Sequence, residues 1–295
     1  MFAHGTMSPR LIALALFVIT AAPVAVPEES ILFVGNSFIY GAGSPVKRYG
    51  ADTVTDLNKA GFGGVPALFK AFTHQAGLDY DVSLETVGGT GLDFHYTQQL
   101  SLIDRRWDHV VLSGYSTLDK DRPGDATILV KYAGLLADVF HRRNPAVQVR
   151  LVATWSRADQ TYLKSGHWYG KPIAAMASDV RGAYNLAAAK SRRIKEVIPV
   201  GQAWTRAMET GIADPNPYDG VSFGQLDLWT HDQYHASSYG YYLEALMIFG
   251  SVTGLDPQRL GERETCADDL GISPLQAKAL QQIAHDELAA RTAGS

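Results

Sequence analysis

The chain has 295 residues, of which 46% are hydrophobic and 19% are charged, and its formal net charge is −4. This composition is typical of a globular protein that buries a sizeable core. The 26 lysines and arginines form no block, so the sequence lacks the cluster of basic residues that is typical of a nucleic-acid-binding protein. The single cysteine, Cys266, excludes an intrachain disulfide and is interpreted as a small buried side chain.

The first 27 residues have the pattern of an export signal. Arg10 precedes the apolar run Leu11–Ala22, which has signal-peptide length and is short for a membrane span. Pro23 weakens the cleavage site, so an uncleaved N-terminal anchor is the alternative, and membrane contact is expected only in that case. We therefore expect a leader over residues 1–27 and a single secreted or periplasmic bacterial domain over residues 28–295.

Beyond the leader, short apolar runs alternate with segments of helical periodicity. The predicted strands are Ile31–Val34, Asp81–Val87, His109–Leu112, Gln148–Ala153 and Lys195–Val200. The predicted helices are Val65–Gln75, Phe94–Ile103, Ala126–Arg142, Ile173–Ala189, Gln202–Glu209, Tyr239–Val252 and Pro274–Ala290. This alternation predicts the α/β class, with a mostly parallel sheet of about five strands and helices on both faces.

Ser37 follows the first predicted strand, in the sequence ILFVGNSF. Ligand sites of parallel sheets form at the carboxyl ends of strands, and Gly35 permits a tight bend there. A nucleophilic serine needs such an open position with a base in reach, and its own N–H can face a developing oxyanion. The alternative is a serine that only caps a helix.

The second segment with recognisable chemistry is HDQYH, in which Asp232 precedes His235 by three residues. An aspartate at this spacing can accept a hydrogen bond from Nδ1 of the imidazole and leave Nε2 free to take a proton. The alternative is a polar loop in which Asp232 caps the following helix. His231 and His235 have a spacing that zinc ligands use, but HExxH is absent, so we expect no metal. Nucleophilic catalysis by a serine, a histidine and an aspartate requires no other cofactor.

A glycine-rich turn, GGTGL at Gly88–Leu92, follows the second predicted strand, where a glycine N–H can approach a ligand closely. The GxGxxG fingerprint and the GxSxG elbow are both absent from the sequence. Taken in order, GNSF, GGTG and DQYH resemble three blocks of the SGNH (GDSL-like) hydrolase family, over roughly Ile31 to Gly254. The resemblance implies a flavodoxin-like three-layer α/β/α sandwich.

The resemblance also implies roles for individual residues. Ser37 would be the nucleophile, His235 the general base and Asp232 the residue that orients it. The N–H groups of Ser37 and Gly89 would bind the oxyanion, with Gly88 as the alternative to Gly89.

This chain departs from the family's pattern in one block. The block usually carries Gly-x-Asn-Asp after the third strand, with the asparagine as a further oxyanion donor, whereas this chain has LSGYSTLD. Ser113, Tyr115 or Ser116 stands near that position, and Ser116 is our candidate donor. An unreplaced asparagine would cost about 10²–10³ in rate.

Four further residues are candidates for substrate binding, namely Asn36, Trp155, Arg157 and Trp168. The two tryptophans lie in loops where they could stack on a sugar or aryl group, and the alternative is that they pack in the core. Arg157 could bind an anionic substrate or pair with Asp159.

The sequence therefore predicts an exported serine ester hydrolase that acts through an acyl-enzyme. The resemblance favours a small acyl ester, with an O-acetyl group on a carbohydrate preferred, and the expected partner is a small-molecule or carbohydrate ester. Two alternatives remain. One is a weak or inactive domain that binds glycans or envelope polymers, and the other is an O-acyltransferase with the same triad.

Overall fold

A computed structural model describes residues 1–5 and 29–293 of the chain. The apolar run of the predicted leader lies outside the described residues, so the leader stays a prediction. Within the described ranges no helix combines the length and apolarity that a membrane span needs.

The described residues form one six-stranded sheet in which every strand pair is parallel, in the order β2-β3-β1-β4-β5-β6. The strands are β1 (Glu29–Gly35), β2 (Thr55–Asp56), β3 (Tyr80–Thr86), β4 (His109–Leu112), β5 (Gln148–Val152) and β6 (Ile194–Ile198). The five predicted strands are confirmed. The sixth, β2, has two residues at the sheet edge, which is too short to show an apolar pattern.

Ten helices surround this sheet in the described part of the chain. They are α1 (Gly64–Gln75), α2 (Leu92–Gln98), α3 (Leu100–Ile103), α4 (Thr127–Arg143), α5 (Ala158–Tyr162), α6 (Ala174–Lys190), α7 (Val200–Glu209), α8 (Ser238–Thr253), α9 (Thr265–Asp269) and α10 (Pro274–Ala293). The predicted helix over Phe94–Ile103 is two helices, because Gln99 leaves helical geometry with φ −117°. The helices α5 and α9 were missed because five residues carry too little periodicity.

The helices form two layers with the sheet between them. In β1, Ile31 and Phe33 pack into one core with α1, α7 and α8, while Leu32 and Val34 pack into a second core with α4 and α6. Successive strand residues point to opposite faces, so a continuous apolar run is what a sheet covered on both faces requires. The predicted three-layer α/β/α sandwich is confirmed.

Candidate active site

Ser37 lies in the turn that begins directly after β1, at the carboxyl edge of the sheet. Its carbonyl oxygen accepts hydrogen bonds from the N–H of Ala42 at 3.0 Å and from the hydroxyl of Tyr241 at 3.2 Å. Because Tyr241 belongs to α8, the turn is held from both the strand and the helix layer. Its position matches the expectation for a residue at a strand end.

Asp232 and His235 form a hydrogen-bonded pair in the loop before α8, with 2.7 Å between Asp232 Oδ2 and His235 Nδ1. Gln233, with φ 55°, makes the tight turn that folds the carboxylate back toward the ring. Asp232 Oδ1 also accepts from the N–H groups of Tyr234 and His235. The cap of α8 is Ser237, so the alternative of Asp232 as its cap is wrong.

The hydrogen bonds to Asp232 set its charge. Desolvation by burial on its own would raise the pKa of Asp232, but the hydrogen bonds from His235 and Thr230 outweigh it and hold that pKa well below its ordinary value. Asp232 is therefore a carboxylate at neutral pH, the form that fixes a proton on Nδ1 of His235.

His235 lies beside the turn that carries Ser37. Its ring centroid is 5.7 Å from that of Phe38, the residue after Ser37. Its Nε2 atom is buried and has no hydrogen-bond partner among the residues that the structure describes, so a hydrogen bond to Ser37 Oγ is not formed here. Such bonds often tighten only when substrate is present.

A cavity of about 250 Å³ opens at this edge. It brings together five residues that sequence reasoning singled out, Asn36, Gly89, Tyr115, Ser116 and Arg157. Tyr234, next to His235, also lines it. The neighbours of both Ser37 and His235 therefore form part of its wall.

Two backbone N–H groups at this edge lack protein acceptors. Over residues 1–5 and 29–293, neither Ser37 nor Gly89 donates its N–H to another protein group. Gly89 has φ 71° and open space where a Cβ would lie. A Cβ on Gly88 would instead lie 2.7 Å from the Tyr40 hydroxyl. Gly89, which lines the cavity, is thus better placed than Gly88 to face a ligand.

Comparisons with known proteins place this arrangement in a fold. No protein-family model matches the chain, and no curated protein matches it in sequence. Among solved structures it is similar to a DUF4886 family protein from Bacteroides uniformis, with TM-score 0.58 and 17% identity over 89% of this chain and 95% of that one. It is also similar to a protein assigned as a GDSL-like lipase from Parabacteroides merdae, with TM-score 0.51 and 16% identity over 77% and 96%.

A third similar structure is a mutant of an acetyl-xylooligosaccharide esterase from Geobacillus, with TM-score 0.50 and 14% identity over 79% of this chain and 97% of that one. This chain has the SGNH hydrolase fold.

Ser116, the candidate for a further oxyanion donor, lines the cavity together with Arg157. Arg157 Nη1 lies 3.3 Å from Ser116 Oγ and donates to it. Because the hydroxyl oxygen accepts this bond, its own proton can point into the cavity. Ser113 does not line the cavity.

The guanidinium of Arg157 is held on two further sides. It donates to both carboxylate oxygens of Asp159, at 2.9 and 2.6 Å, and it lies 3.6 Å from the ring centroid of Tyr234. The ion pair with Asp159, one of the two alternatives drawn from the sequence, is confirmed. With its charge compensated in this way, Arg157 has less to offer an anionic substrate.

Asn36 holds three loops of the SGNH fold together. Its Nδ2 donates to the carbonyl oxygens of Thr90 at 2.8 Å and Gly114 at 3.0 Å, and its Oδ1 accepts from the N–H of Phe38. These partners follow β3, β4 and β1. Both amide protons are used inside the protein, so Asn36 shapes the cavity wall and has no donor left for a substrate.

The two tryptophans do not form a substrate platform. Trp155 has no exposed surface and stacks between Phe38 and Trp204, at centroid distances of 4.4 and 4.6 Å. Trp168 is also fully buried and donates its ring N–H to Asp179 at 2.8 Å. The prediction that they contact substrate is wrong, because these large rings bury their area in the core.

Sequence reasoning missed the contribution of Tyr234 and Gln160 to the cavity. A signal for Tyr234 was available, since an aromatic residue inside the DQYH block must lie near His235. Gln160 had no such signal because it lies on the short helix α5. No group of three or more potential metal ligands occurs within the part of the chain that the structure describes.

Proposed function

We propose that the protein is a serine ester hydrolase that acts through an acyl-enzyme. The observation that carries the proposal is the state of His235. Its Nδ1 is bonded to a carboxylate, while its Nε2 is buried, unpartnered among the described residues, and beside the turn of Ser37. An imidazole bonded on one side only is the form that a general base needs.

In the proposed reaction Ser37 Oγ attacks the ester carbonyl as His235 Nε2 takes its proton. The C–O bond to the alcohol then breaks, and His235 returns the proton to the leaving alcohol. Water attacks the acyl-Ser37 ester with His235 again as base, which releases the carboxylic acid and regenerates the serine. Asp232 supports the transient imidazolium charge throughout.

The oxyanion would be held by Ser37, beside the cavity, and by groups of the cavity wall. The N–H groups of Ser37 and Gly89 are two donors without protein acceptors within the described chain. The Ser116 hydroxyl, which accepts from Arg157, is the proposed third donor in place of the asparagine. Preorganised donors of this kind supply the largest single share of catalysis in many acyl-transfer enzymes.

The cavity supports a small acyl group as the substrate's reacting part. Its volume of about 250 Å³ and its lining of hydroxyl, amide and charged side chains suit a polar ester better than a long lipid chain. One similar structure is of an acetyl-xylooligosaccharide esterase, which favours an O-acetyl ester of a carbohydrate. We also propose, from the leader sequence alone, that the enzyme works outside the cytoplasm.

A second candidate is an SGNH-like domain that binds glycans without turning them over. Two observations favour it, namely the missing asparagine and the absent hydrogen bond between Ser37 and His235. It differs from the esterase in one respect that is easily measured, because a binding domain would not react covalently through Ser37.

The test is intact-mass measurement after treatment with a fluorophosphonate, followed by a p-nitrophenyl acetate assay. Native protein should gain one adduct, and Ser37→Ala should gain none and lose at least about 10³-fold in activity. Ser83→Ala, a buried serine within β3, is the matched control and should behave like native protein. No adduct and no turnover in folded native protein would contradict the esterase and favour the binding domain.

A further inference from the structure

A chain of buried polar side chains lies directly behind the loop that carries Gly89. His95 Nδ1 is hydrogen-bonded to Glu85 Oε2, and neither residue has any exposed surface. On its other side, His95 Nε2 lies 3.2 Å from the hydroxyl of Thr90. That hydroxyl in turn donates to the carbonyl oxygen of Val87 at 2.7 Å. The chain thus runs from the end of β3 into the loop.

The direction of these bonds follows from counting protons. The Thr90 hydroxyl has one proton and donates it in the hydrogen bond to the Val87 carbonyl oxygen. In the contact with His95 the hydroxyl oxygen can therefore only accept, so His95 Nε2 must carry a proton and donate. Because the proton on Nε2 is used in the bond to Thr90, the bond between His95 Nδ1 and Glu85 needs another proton. This second proton lies either on the imidazole ring or on the Glu85 carboxyl group. His95 is therefore bonded on both sides and has no nitrogen free for chemistry.

The same loop is held from the opposite side. The carbonyl oxygen of Thr90 accepts from Asn36 Nδ2 at 2.8 Å. Asn58 Nδ2 donates to the second oxygen of Glu85 at 3.2 Å. Gly89 itself has left-handed geometry and no atom within 4 Å of a Cβ position, so nothing packs against that side of it. Its orientation depends on its neighbours.

We propose that Thr90 and His95 are positioning residues that aim the Gly89 N–H at the oxyanion. The inference rests on the proposed esterase function and assigns a role to a histidine–glutamate pair that the reaction itself does not use. An oxyanion donor is effective only when its direction is set before the reaction, so loosening the loop should slow chemistry more than it weakens binding.

The test compares two substitutions of Thr90. Thr90→Val keeps the shape and removes the hydroxyl, and it should lower kcat for p-nitrophenyl acetate by about 10-fold to 100-fold while KM changes less than about twofold. Thr90→Ser restores the hydroxyl and should recover most of that loss. Thr73→Val, which removes a buried hydroxyl within α1, is the matched control and should leave kcat unchanged.

Hydrogen–deuterium exchange at the N–H groups of Val87 and Phe94, which flank the loop and donate to the carbonyl oxygens of Gly35 and Gly91, gives a readout independent of turnover. Faster exchange in Thr90→Val than in native protein supports the proposal, and equal exchange overturns it. Native-like kcat in Thr90→Val, with Ser37→Ala inactive, also overturns it and leaves the esterase intact. If native protein shows neither adduct nor turnover, the esterase fails, and the exchange measurement still decides whether Thr90 holds the loop.

Discussion

Histidines bonded to carboxylates occur at both edges of the sheet, and His109 at the amino edge differs from His235 at the carboxyl edge in the bonding of the second ring nitrogen. At the amino edge, His109 Nε2 donates to Glu29 at 2.7 Å and its Nδ1 accepts from Arg150 at 3.1 Å. At the carboxyl edge, His235 is bonded to Asp232 through Nδ1, and its Nε2 has no partner in the described chain. Both ring nitrogens of His109 are hydrogen-bonded, whereas one nitrogen of His235 has no partner among the described residues.

The comparison shows that a histidine–carboxylate pair does not by itself indicate catalysis. The cavity at the amino edge, about 450 Å³, is also larger than the one of about 250 Å³ at the carboxyl edge. Cavity size would therefore favour the amino edge as the location of an active site, while the bonding of the histidines favours the carboxyl edge. The free nitrogen is the better guide because proton transfer needs an atom that the fold has not already used.

The largest expected effect contrasts the same substitution at the two edges. His235→Gln removes the proposed base and should lower kcat/KM for p-nitrophenyl acetate by at least about 10³-fold. His109→Gln should leave kcat/KM within about twofold, because a glutamine can accept from Arg150 and donate to Glu29. Equal losses in both variants, measured at matched thermal stability, would contradict the distinction between the edges.

A buried carboxyl group in α8 extends the comparison to stability. Both oxygens of Glu244, in α8, lack hydrogen-bond partners in the described residues, and burial raises its pKa well above the ordinary range. The folded state then keeps a proton that the unfolded state releases above about pH 4.3, so this residue costs stability as pH rises.

Glu244→Gln stays neutral at all pH values and should raise the free energy of unfolding at pH 7, by at most about 4 kcal/mol. At pH 4 the gain should be close to zero, since both states then hold the proton. Urea denaturation at the two pH values checks this, and an equal gain at both would show that ionisation of Glu244 is not the cause.

The smallest expected effect concerns His109 in acid. Desolvation by burial lowers its pKa, with the charge of Arg150 acting in the same direction and the hydrogen bond to Glu29 opposing it. The unfolded chain therefore binds a proton near pH 6.5 that the folded protein does not, and stability should fall as pH drops through this range. His109→Gln should flatten that part of the stability curve in urea titrations between pH 5 and pH 8, and an unchanged slope would contradict the assignment.

The local sequence pattern was sufficient to predict most helices and strands and to identify the candidate residues at the strand ends. His109–Leu112 is predicted and observed with the same bounds, because an apolar run between polar turns is visible within a few residues. Asp232 and His235 could be paired from the sequence since one tight turn at Gln233 joins them. Ser37 was identified from its position after the first strand, and the family resemblance then supplied the role of Gly89 from a motif that is also local.

Contacts between residues far apart in the chain were beyond that reasoning. The donor to Ser116 is Arg157, 41 residues away, and the carboxylate beside His109 is Glu29, 80 residues away. Trp155 is an aromatic residue of the kind that can stack on a sugar, yet it is buried between the rings of Phe38 and Trp204. Whether a side chain is exposed, and whether a histidine keeps a free nitrogen, depends on which distant atoms the sheet and its helix layers bring against it, because burial and hydrogen bonding are properties of the packed structure.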